Sequence, residues 1–407
     1  MRDSKNHTLR ILQVNKAYFP HIGGVESIVA QIAEGLGARD GFEVRTLVCN
    51  DEFKSVVEVV NGASVERAST FGQLLRMPLS LDFFPRFRRM ASESDAILLH
   101  HPFPLGFLAA RILVHGQPTF VWYHADIVRQ RISGAMLTPL WNSVLDRATK
   151  IFVSNRRLLA SSKVLRRFAS KCAVIPFGLD SRRFDSTPAI TQAALEIRAR
   201  YGAPLLLAVG RLVYYKGFEF LVEAMKGQSA KLLIVGSGPL EKPLLELTRA
   251  HGVADRVHII ASVPDLTPYY HACDVFVLPS VAASEAFGLV QMEAMACGKP
   301  VINTNLPTGV IEVSVHNETG LTVPPRDSAA LSEAIGQLLS DTALRNRFGA
   351  AAKIRIITHF DLDRFVDRVA EELRAGCGYG AGSLRGRTSV ETPAIRNSEE
   401  EIDAAAK

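Results

Sequence analysis

Two successive series of short apolar runs, each alternating with longer amphipathic segments, constrain the fold of this chain most strongly. The runs lie at residues 9–14, 43–48, 96–101, 118–124 and 150–155, then at 205–210, 231–236, 256–260, 275–280 and 299–304. Short runs that are apolar on both faces predict strands covered on both sides, and helical spacing between them predicts β-α-β units. The pattern therefore predicts an α/β chain with two doubly wound, Rossmann-like parallel sheets.

The stretch IPFGLDSRRF, residues 175–184, separates the two series and predicts a hinge. We expect an N-terminal domain over residues 1–178, a C-terminal domain over 179–358 and a last helix over 359–375. Asp361 suits the N-cap of that helix, so its Asp-x-Asp pattern indicates a helix start rather than a metal site. Over residues 376–407 a Gly/Ser/Arg-rich and then Glu/Ala-rich composition predicts a disordered tail.

The composition is typical of a soluble protein, because 47% of the 407 residues are hydrophobic and 22% are charged. The five scattered cysteines form no C-x-x-C pair, which favours reduced thiols. The longest apolar region, residues 96–124, is interrupted by His100, His101, three prolines and Arg111. With no signal-type apolar core at the start, we expect a cytoplasmic protein without a membrane span.

The positive charge is concentrated in the first half of the chain. Residues 1–178 contain 23 Lys and Arg against 14 Asp and Glu, whereas the remainder contains 24 against 27. Residues 147–171 include eight basic residues and no acidic one. This segment fits a solvated helix face, or a cationic patch for anionic lipid or a phosphate-bearing substrate. Nucleic acid is not expected, because no recognition motif is present.

In open α/β sheets, ligands bind beyond the carboxyl ends of the strands, so the residues that follow each strand are site candidates. After the first run, Gly23 and Gly24 precede a helix whose free N–H groups would suit a phosphate, although two glycines also make a plain turn. After the run at 118–123 comes His124. It could bind a substrate hydroxyl, or it could be packed while Asp126 caps the next helix.

In the second series, Arg211 and Lys216 lie on one loop, G-R-L-V-Y-Y-K-G at residues 210–217. Two cations beside a pocket suit a diphosphate, and a basic surface loop is the alternative. G-S-G-P-L-E, residues 236–241, has the first two glycines of a dinucleotide fingerprint but Glu241 in place of the third. A nicotinamide-dependent oxidoreductase is therefore not favoured.

Glu285 and Glu293 lie on either side of Gly288. On one continuous helix they would lie about 12 Å apart along the axis, too far to act as an acid/base pair on a small ligand. Gly288 favours a loop position for Glu285, with Glu293 on the second turn of a helix that starts between them. The N–H groups of Leu289 and Val290 would then meet an anion, and the carboxylates would accept sugar hydroxyls. A capped helix with two solvated glutamates fits the same residues.

Five motifs together resemble a known family, the retaining glycosyltransferases of family 4, which have the GT-B fold. They are Gly23-Gly24, His124, G-R-L-x-x-x-K-G at 210–217, G-S-G-P-L at 236–240 and E-A-F-G-L-V-Q-M-E at 285–293. The resemblance spans residues 9–375 in consistent order. It implies two Rossmann-like domains that face a central cleft, the first binding the acceptor and the second the nucleotide sugar. It also implies that the last helix returns to the first domain.

The resemblance implies where the donor's diphosphate would bind. Arg211 and Lys216 would hold it, assisted by the N–H groups of Leu289 and Val290 and by the turn at Gly24. These groups would neutralise the departing diphosphate, so we expect neither a metal nor a cofactor. The turn and the loop before the helix add three further donor-binding residues, Gly23, Phe287 and Gly288.

The same resemblance assigns the sugar and the nucleoside. Glu293 would bind the ribose, and Glu285 would face the donor sugar beside its anomeric carbon. His124 would touch the primary hydroxyl of the sugar or the reacting centre, and the base would lie near Gly236 and Val263. Retention requires either attack by the acceptor on the face that the diphosphate leaves, or a protein nucleophile. The sequence offers no second carboxylate for the latter, so we favour the former.

Two segments, H-A-D-I-V-R-Q at 124–130 and 210–221, look most similar to bacterial mannosyl- and rhamnosyltransferases of surface-polysaccharide assembly, including O-antigen and exopolysaccharide. This implies GDP-mannose or a related GDP-deoxyhexose as donor and a polyprenyl-diphosphate-linked saccharide as acceptor. Residues 147–171 and 86–89 would then contact the anionic inner face of the membrane, making the enzyme peripheral. The alternatives are a relative that uses UDP-glucose or UDP-galactose and a non-catalytic carbohydrate-binding protein of the same fold.

Overall fold

The computed structural model describes residues 7–21, 23–74, 77–126 and 131–379. Within these ranges the first domain contains β1 (Leu9–Val14), α1 (Gly24–Gly37), β2 (Phe42–Cys49), β3 (Val56–Val60), β4 (Ala63–Ala68), β5 (Gly72–Leu74), β6 (Met77–Leu79), α2 (Phe83–Ser92), β7 (Ala96–His101), α3 (Pro104–Leu113), β8 (Thr119–Tyr123), α4 (Arg131–Arg147), β9 (Lys150–Val153), α5 (Arg156–Ser161), α6 (Lys163–Arg167) and β10 (Cys172–Val174).

The second domain begins after the connecting segment 175–184. It contains α7 (Pro188–Tyr201), β11 (Leu205–Val209), α8 (Phe218–Ala224), β12 (Lys231–Val235), α9 (Glu241–Ala250), β13 (Val257–Ile260), α10 (Thr267–Ala272), β14 (Val275–Leu278), α11 (Leu289–Ala296), β15 (Val301–Thr304), α12 (Val310–Val313), β16 (Gly320–Val323), α13 (Ser328–Ser340) and α14 (Thr342–His359). The helix α15 (Leu362–Gly376) follows.

The prediction of two α/β domains with doubly wound sheets is confirmed. The first sheet has the order β10-β9-β8-β7-β1-β2-β4-β3, and the second β13-β12-β11-β14-β15-β16. The pairs are parallel except for β3, which runs antiparallel to β4. The central strands, such as β8 and β11, are buried along their whole length because helices cover both faces.

Each sheet has one point at which the strand order reverses, between β7 and β1 in the first domain and between β11 and β14 in the second. Loops on the two sides of such a point diverge and leave a crevice beyond the carboxyl ends of the strands. The loop 210–217 follows β11, and the loop that carries Glu285 follows β14. Both predicted donor-binding loops therefore lie at the switch point of the second sheet.

The structure adds strands that the apolar pattern did not predict. The strands β4, β10 and β16 extend the two sheets, and β5 and β6 form a separate hairpin. The strand β3 is half-exposed at the edge of its sheet, and β10 has only three residues. Short or half-exposed strands lack the long two-sided apolar run that marks a central strand.

The last helix packs against the first domain after the chain has passed through the second. Asp361 caps it by accepting a hydrogen bond from the N–H of Arg364, which confirms the predicted helix start. Arg39, which follows α1, binds Asp363 at 2.9 Å and Asp367 at 3.0 Å. The predicted tail follows this helix, and residues 380–407 lie outside the described ranges, as do residues 127–130 of the 124–130 motif.

Two observations concern the thiols and the helices. All five cysteines are free thiols. No helix within the described ranges combines the length and the apolar character that crossing a bilayer requires.

Candidate functional site

The segment between Glu285 and Glu293 contains the start of α11. Gly288 is the N-cap, with φ 72° and ψ 60°, and Leu289 is the first helical residue. This left-handed conformation suits glycine, and a Cβ at Gly288 would lie 2.7 Å from Cδ2 of Leu278. Glu285 is on the preceding loop and Glu293 on the second turn, so the N–H end of the helix lies between the two carboxylates.

Lys216 and Glu285 form a buried ion pair. Nζ of Lys216 lies 2.6 Å from Oε2 of Glu285, and the residues are 7% and 8% exposed. The hydroxyl of Ser280 donates to the same carboxylate oxygen at 2.9 Å. An ammonium group has three N–H donors, so Lys216 keeps two for an anionic ligand while it holds Glu285. The pair joins the loops that follow β11 and β14 across the switch point.

Arg211 lies at the start of the same loop and, unlike Lys216, is exposed. Gly217 ends the loop in a left-handed conformation, with φ 65°, and a Cβ there would lie 2.2 Å from the carbonyl oxygen of Pro279. The backbone of the loop therefore packs directly against the end of β14. Close packing at Gly217 holds Lys216 beside Glu285 while Arg211 faces solvent.

Replacing Gly217 with alanine is expected to lower the free energy of unfolding by about 3 kcal/mol or more, since a left-handed alanine costs about 1 kcal/mol and the clash adds to it. Gly252 provides a matched control. Its φ is 66°, and a Cβ there would have no neighbour within 4 Å. Gly252→Ala should cost only about 1 kcal/mol. Urea denaturation of the two variants compares them, and equal losses would contradict the close packing at Gly217.

Glu293 is half-buried and receives a hydrogen bond from Tyr270 on α10. The phenol donates to Oε2 of Glu293 at 2.6 Å. Burial raises the pKa of the Glu293 carboxyl, and burial together with the nearby Glu293 charge raises the pKa of Tyr270. The phenol thus fixes one carboxylate oxygen and leaves the other for a ligand hydroxyl. No spacing in the sequence links Tyr270 to Glu293, because their contact is tertiary.

His124 is buried at the carboxyl end of β8, beside two other histidines. Its Nε2 lies 2.9 Å from Nδ1 of His100, and the two rings stack with centroids 5.2 Å apart. Burial lowers the pKa of His100 and His101 to about 3, and burial and the neighbouring imidazoles keep the pKa of His124 well below 6.5. His124 is therefore neutral near pH 7, and any contact that it made with a ligand would be a hydrogen bond rather than an ion pair.

Asp126 accepts hydrogen bonds from two hydroxyl groups. Tyr123 and Ser162 donate to its Oδ1 at 2.6 and 2.7 Å. This carboxylate therefore ties the end of β8 to the start of α6. The cap role predicted for it depends on the entry to α4, which includes the undescribed residues 127–130.

The remaining predicted residues lie around the same crevice. A Cβ on Gly24 would come within 3.8 Å of Cδ1 of Leu289, so the glycine turn of the first domain faces the start of α11. Gly236, with φ 153°, packs its backbone on Gly210, because a Cβ would lie 2.0 Å from the Gly210 carbonyl oxygen. Val263 is half-buried on the loop after β13.

Phe287 connects the two domains rather than lining open space. Its side chain is buried, and its ring centroid lies 5.0 Å from that of Phe177 in the connecting segment and 5.9 Å from that of Phe360. The Phe177 ring also stacks on His124, at 6.0 Å.

Sequence reasoning missed Asn155, whose Nδ2 donates to the carbonyl of Ala286 at 3.5 Å across the domains. Asn155 follows the carboxyl end of β9, where ligand-binding residues are expected in such sheets, so its position in the sequence could have indicated it.

Two further features bear on the chemistry. Within the described part of the chain, no three His, Cys, Asp or Glu side chains are grouped to hold a metal. A cavity of about 590 Å³ lies at the amino-terminal edge of β8, the end of the strand opposite His124. Its lining includes Arg111, His115 and Arg147. It is separate from the crevice that gathers the predicted residues.

Comparison with known proteins gives the same assignment for both halves of the chain. Residues 195–355 match the family described as "Glycosyl transferases group 1", and residues 23–178 match the "Glycosyl transferase 4-like domain". The chain is 32% identical over 350 residues to the D-rhamnosyltransferase WbpZ of Pseudomonas aeruginosa, covering 85% of this chain and 91% of WbpZ.

Two mannosyltransferases are similar over nearly their whole length. The O-antigen chain mannosyltransferase C of Escherichia coli is 28% identical over 361 residues, covering 88% of this chain and 96% of that protein. A GDP-mannose-dependent alpha-(1-6)-phosphatidylinositol monomannoside mannosyltransferase of Mycobacterium tuberculosis is 30% identical over 395 residues, covering 90% and 98%.

The crystal structure of Anabaena HepE in complex with UDP shares the architecture. It aligns with a TM-score of 0.75 at 21% identity, covering 90% of this chain and 100% of HepE. At this identity the likeness shows the fold, in which two Rossmann-like domains face each other. Both family matches and the relative at 32% identity agree with it. The chain therefore belongs to the family-4 glycosyltransferases and has their GT-B fold.

Proposed function

We propose that this glycosyltransferase moves an α-mannosyl residue from GDP-mannose, with retention, onto a lipid-linked oligosaccharide in polysaccharide synthesis. The observation that carries the proposal is the crevice at the switch point of the second sheet. There Lys216 pairs with Glu285, the N–H end of α11 lies between Glu285 and Glu293, and Arg211 is on the same loop as Lys216. Cations and free N–H groups suit a diphosphate, and carboxylates at either end suit the hydroxyls of the two sugars that flank it.

Each group would have one task in the reaction. Arg211, Lys216 and the first N–H groups of α11 would neutralise the negative charge that develops on the departing diphosphate, without a metal ion. Glu285 would orient the donor sugar while Lys216 and Ser280 hold its carboxylate. Glu293 would bind the ribose through the oxygen that Tyr270 leaves available.

Retention would follow from attack on the face that the diphosphate leaves. The acceptor oxygen bonds to the anomeric carbon as the bond to the diphosphate oxygen breaks, and the acceptor proton passes to a departing phosphate oxygen. The two carboxylates that follow β14 and β8 are already engaged, Glu285 by Lys216 and Asp126 by Tyr123 and Ser162. Trapping a glycosyl adduct on either carboxylate would show a protein nucleophile and refute this mechanism.

The donor assignment draws on the relatives. Two of them are mannosyltransferases, one described as GDP-mannose-dependent, and a third transfers D-rhamnose. The second candidate function is the same transfer from UDP-glucose or UDP-galactose, with UDP in the crevice. A non-catalytic protein of this fold is the other alternative, and it would bind a nucleotide sugar without releasing the nucleotide.

A panel of GDP- and UDP-sugars, with and without EDTA, tests the proposal. We expect GDP-mannose to be hydrolysed or transferred fastest, with the same rate when EDTA is present. Turnover of UDP-glucose alone would replace the mannosyl assignment. A rate that falls with EDTA would contradict the metal-free mechanism, and binding without turnover would favour the non-catalytic alternative.

Neither basic segment predicted to face the membrane is fully available for it. In 86–89, Arg86 binds Glu66 and Asp82, and Arg89 binds Glu66. In 147–171, carboxylates pair with three of the eight cations, Glu372 with Lys150, Glu312 with Arg157 and Asp146 with Arg167, while Arg147 and Lys171 donate to backbone carbonyls. The exposed cations of this segment without a pair in the described chain are Arg156, Lys163 and Arg166.

A group of exposed apolar side chains supports the membrane proposal better. Phe19, Phe53 and Phe71 follow β1, β2 and β4, and Leu81 precedes α2; they are 52%, 81%, 55% and 77% exposed. The N–H of Thr70 donates to the carbonyl of Glu52 at 2.9 Å, which joins two of these loops. We propose that this apolar loop group, helped by the free cations, contacts the bilayer that holds the acceptor.

Phe53→Ser is expected to lower binding to phosphatidylglycerol-containing vesicles about tenfold, because burial of one phenylalanine contributes about 1.5–3 kcal/mol. Leu195→Ser on α7 is the matched control, an apolar side chain that is 57% exposed on the second domain. Vesicle flotation compares them. Equal binding by the two variants would exclude the apolar loop group, and release by Arg166→Glu with Arg167→Glu would instead assign the contact to the basic segment.

A further inference from the structure

His100 is a buried neighbour of the predicted sugar-binding histidine, and nothing in the crevice described above uses it. It lies on β7, next to β8 in the sheet, and is paired in register with Trp122. Its Nδ1 is the atom that contacts Nε2 of His124, at 2.9 Å. Its other nitrogen, Nε2, is buried and has no hydrogen-bond partner in the described chain.

One hydrogen bond between two neutral imidazoles needs one proton and one lone pair. Burial lowers the pKa of both groups, so each ring carries a single proton near pH 7. If His124 donated, His100 would have to keep its proton on Nε2, where a buried N–H would have no acceptor. Buried N–H groups without an acceptor are rare, because each loses its hydrogen bond to water. Donation from His100 Nδ1 avoids that cost.

We propose that His100 is a positioning residue that fixes the tautomer of His124. Its Nδ1–H donates to Nε2 of His124, so His124 carries its own proton on Nδ1. His124 then presents one N–H group to the sugar of the nucleotide-sugar substrate. Neither of its ring nitrogens has a free lone pair.

This inference rests on the proposed role of His124 at the donor sugar and sharpens it. A histidine with Nε2 occupied and Nδ1 protonated cannot accept the proton of the acceptor hydroxyl. It can donate to a sugar hydroxyl oxygen or to a phosphate oxygen. The proton of the acceptor must therefore leave by another route, which agrees with its transfer to the departing diphosphate.

The tautomer can be read without any turnover. In protein labelled with ring-¹⁵N histidine, we expect Nδ1 of His124 to give the shift of a protonated nitrogen and Nε2 that of an unprotonated one. The His124→Asn variant assigns the two signals by their loss. The opposite pattern, with the proton on Nε2, would overturn the proposal even if the enzyme transfers mannose as proposed.

Two substitutions with the same branching and the same number of side-chain heavy atoms test the consequence for catalysis. His100→Asn keeps an N–H group at the position of Nδ1, whereas His100→Leu removes it. We expect His100→Leu to lower kcat about tenfold with little change in KM for the donor, and His100→Asn to stay within about threefold of the unsubstituted enzyme. Equal kcat in the two variants would overturn the positioning role. An enzyme inactive on every nucleotide sugar would refute the proposed function and leave the tautomer result intact.

Discussion

Glu285→Ala is expected to lower sugar transfer about 10³-fold while leaving GDP affinity unchanged or raised. The carboxylate would act on the donor sugar at the reacting centre, where loss of one preorganised group typically costs a factor of about 10²–10³. GDP lacks that sugar. Removal of the carboxylate also leaves the buried Lys216 without its partner, so the diphosphate becomes its best counter-ion.

Glu293→Ala should show the opposite pattern. Loss of the ribose contact is expected to weaken GDP binding tenfold to a hundredfold, since hydrogen bonds to a charged group contribute about 1.5–3 kcal/mol. Tyr270→Phe is the matched control. It removes the phenol that binds Oε2 but keeps the carboxylate, so GDP affinity should change only about threefold.

Calorimetric titration with GDP and a transfer assay on the same preparations separate the two glutamates. The pattern to look for is loss of transfer without loss of binding at Glu285, and loss of binding at Glu293. Transfer by both alanine variants within tenfold of the unsubstituted enzyme would remove both carboxylates from the site. Weak GDP binding by Glu285→Ala alone would place that residue at the nucleotide instead.

The second large effect concerns the ion pair between Lys216 and Glu285. Breaking a buried pair from one side typically costs about 3–5 kcal/mol, because the remaining charge stays desolvated. Lys216→Met and Glu285→Gln should each lower the free energy of unfolding by about 3 kcal/mol. The double variant should lose much less than the sum of the two, since it leaves no unpaired charge.

Urea denaturation of the unsubstituted enzyme, the two single variants and the double variant gives the coupling free energy between Lys216 and Glu285. A coupling near zero would show that water screens the two groups and that the pair does not hold the loops together. Arg211→Met is the control for the same loop. Arg211 is exposed, so its loss should weaken GDP binding without a comparable loss of stability.

One physical reason explains why the central strands, and the edge of the sheets at which the candidate site lies, could both be predicted from the sequence. A parallel strand covered on both faces needs a continuous apolar run, and the candidate site residues Lys216 and Glu285 lie on loops that begin where such a run stops. The carboxyl ends of parallel strands meet at one edge, so residues far apart in sequence were expected together. The glycine at 288 likewise indicated the helix start between the glutamates.

The partners within the site could not be predicted in the same way. His100 with His124 and Tyr270 with Glu293 are tertiary contacts that no local period encodes. The same limit applies to the basic segments. Acids from other elements pair with their cations, such as Glu66 with Arg86 and Glu372 with Lys150, so a local count of charge overstates the free positive surface.

Hydrogen–deuterium exchange with saturating GDP tests most directly whether the nucleotide binds at the start of α11. We expect slower exchange at the amides of residues 288–290 and 210–212, because their N–H groups would contact or be covered by the diphosphate. The amides that line the distant cavity, such as those of residues 114–117, should be unchanged. Protection at the cavity, with none at 288–290, would contradict the donor site proposed for this enzyme.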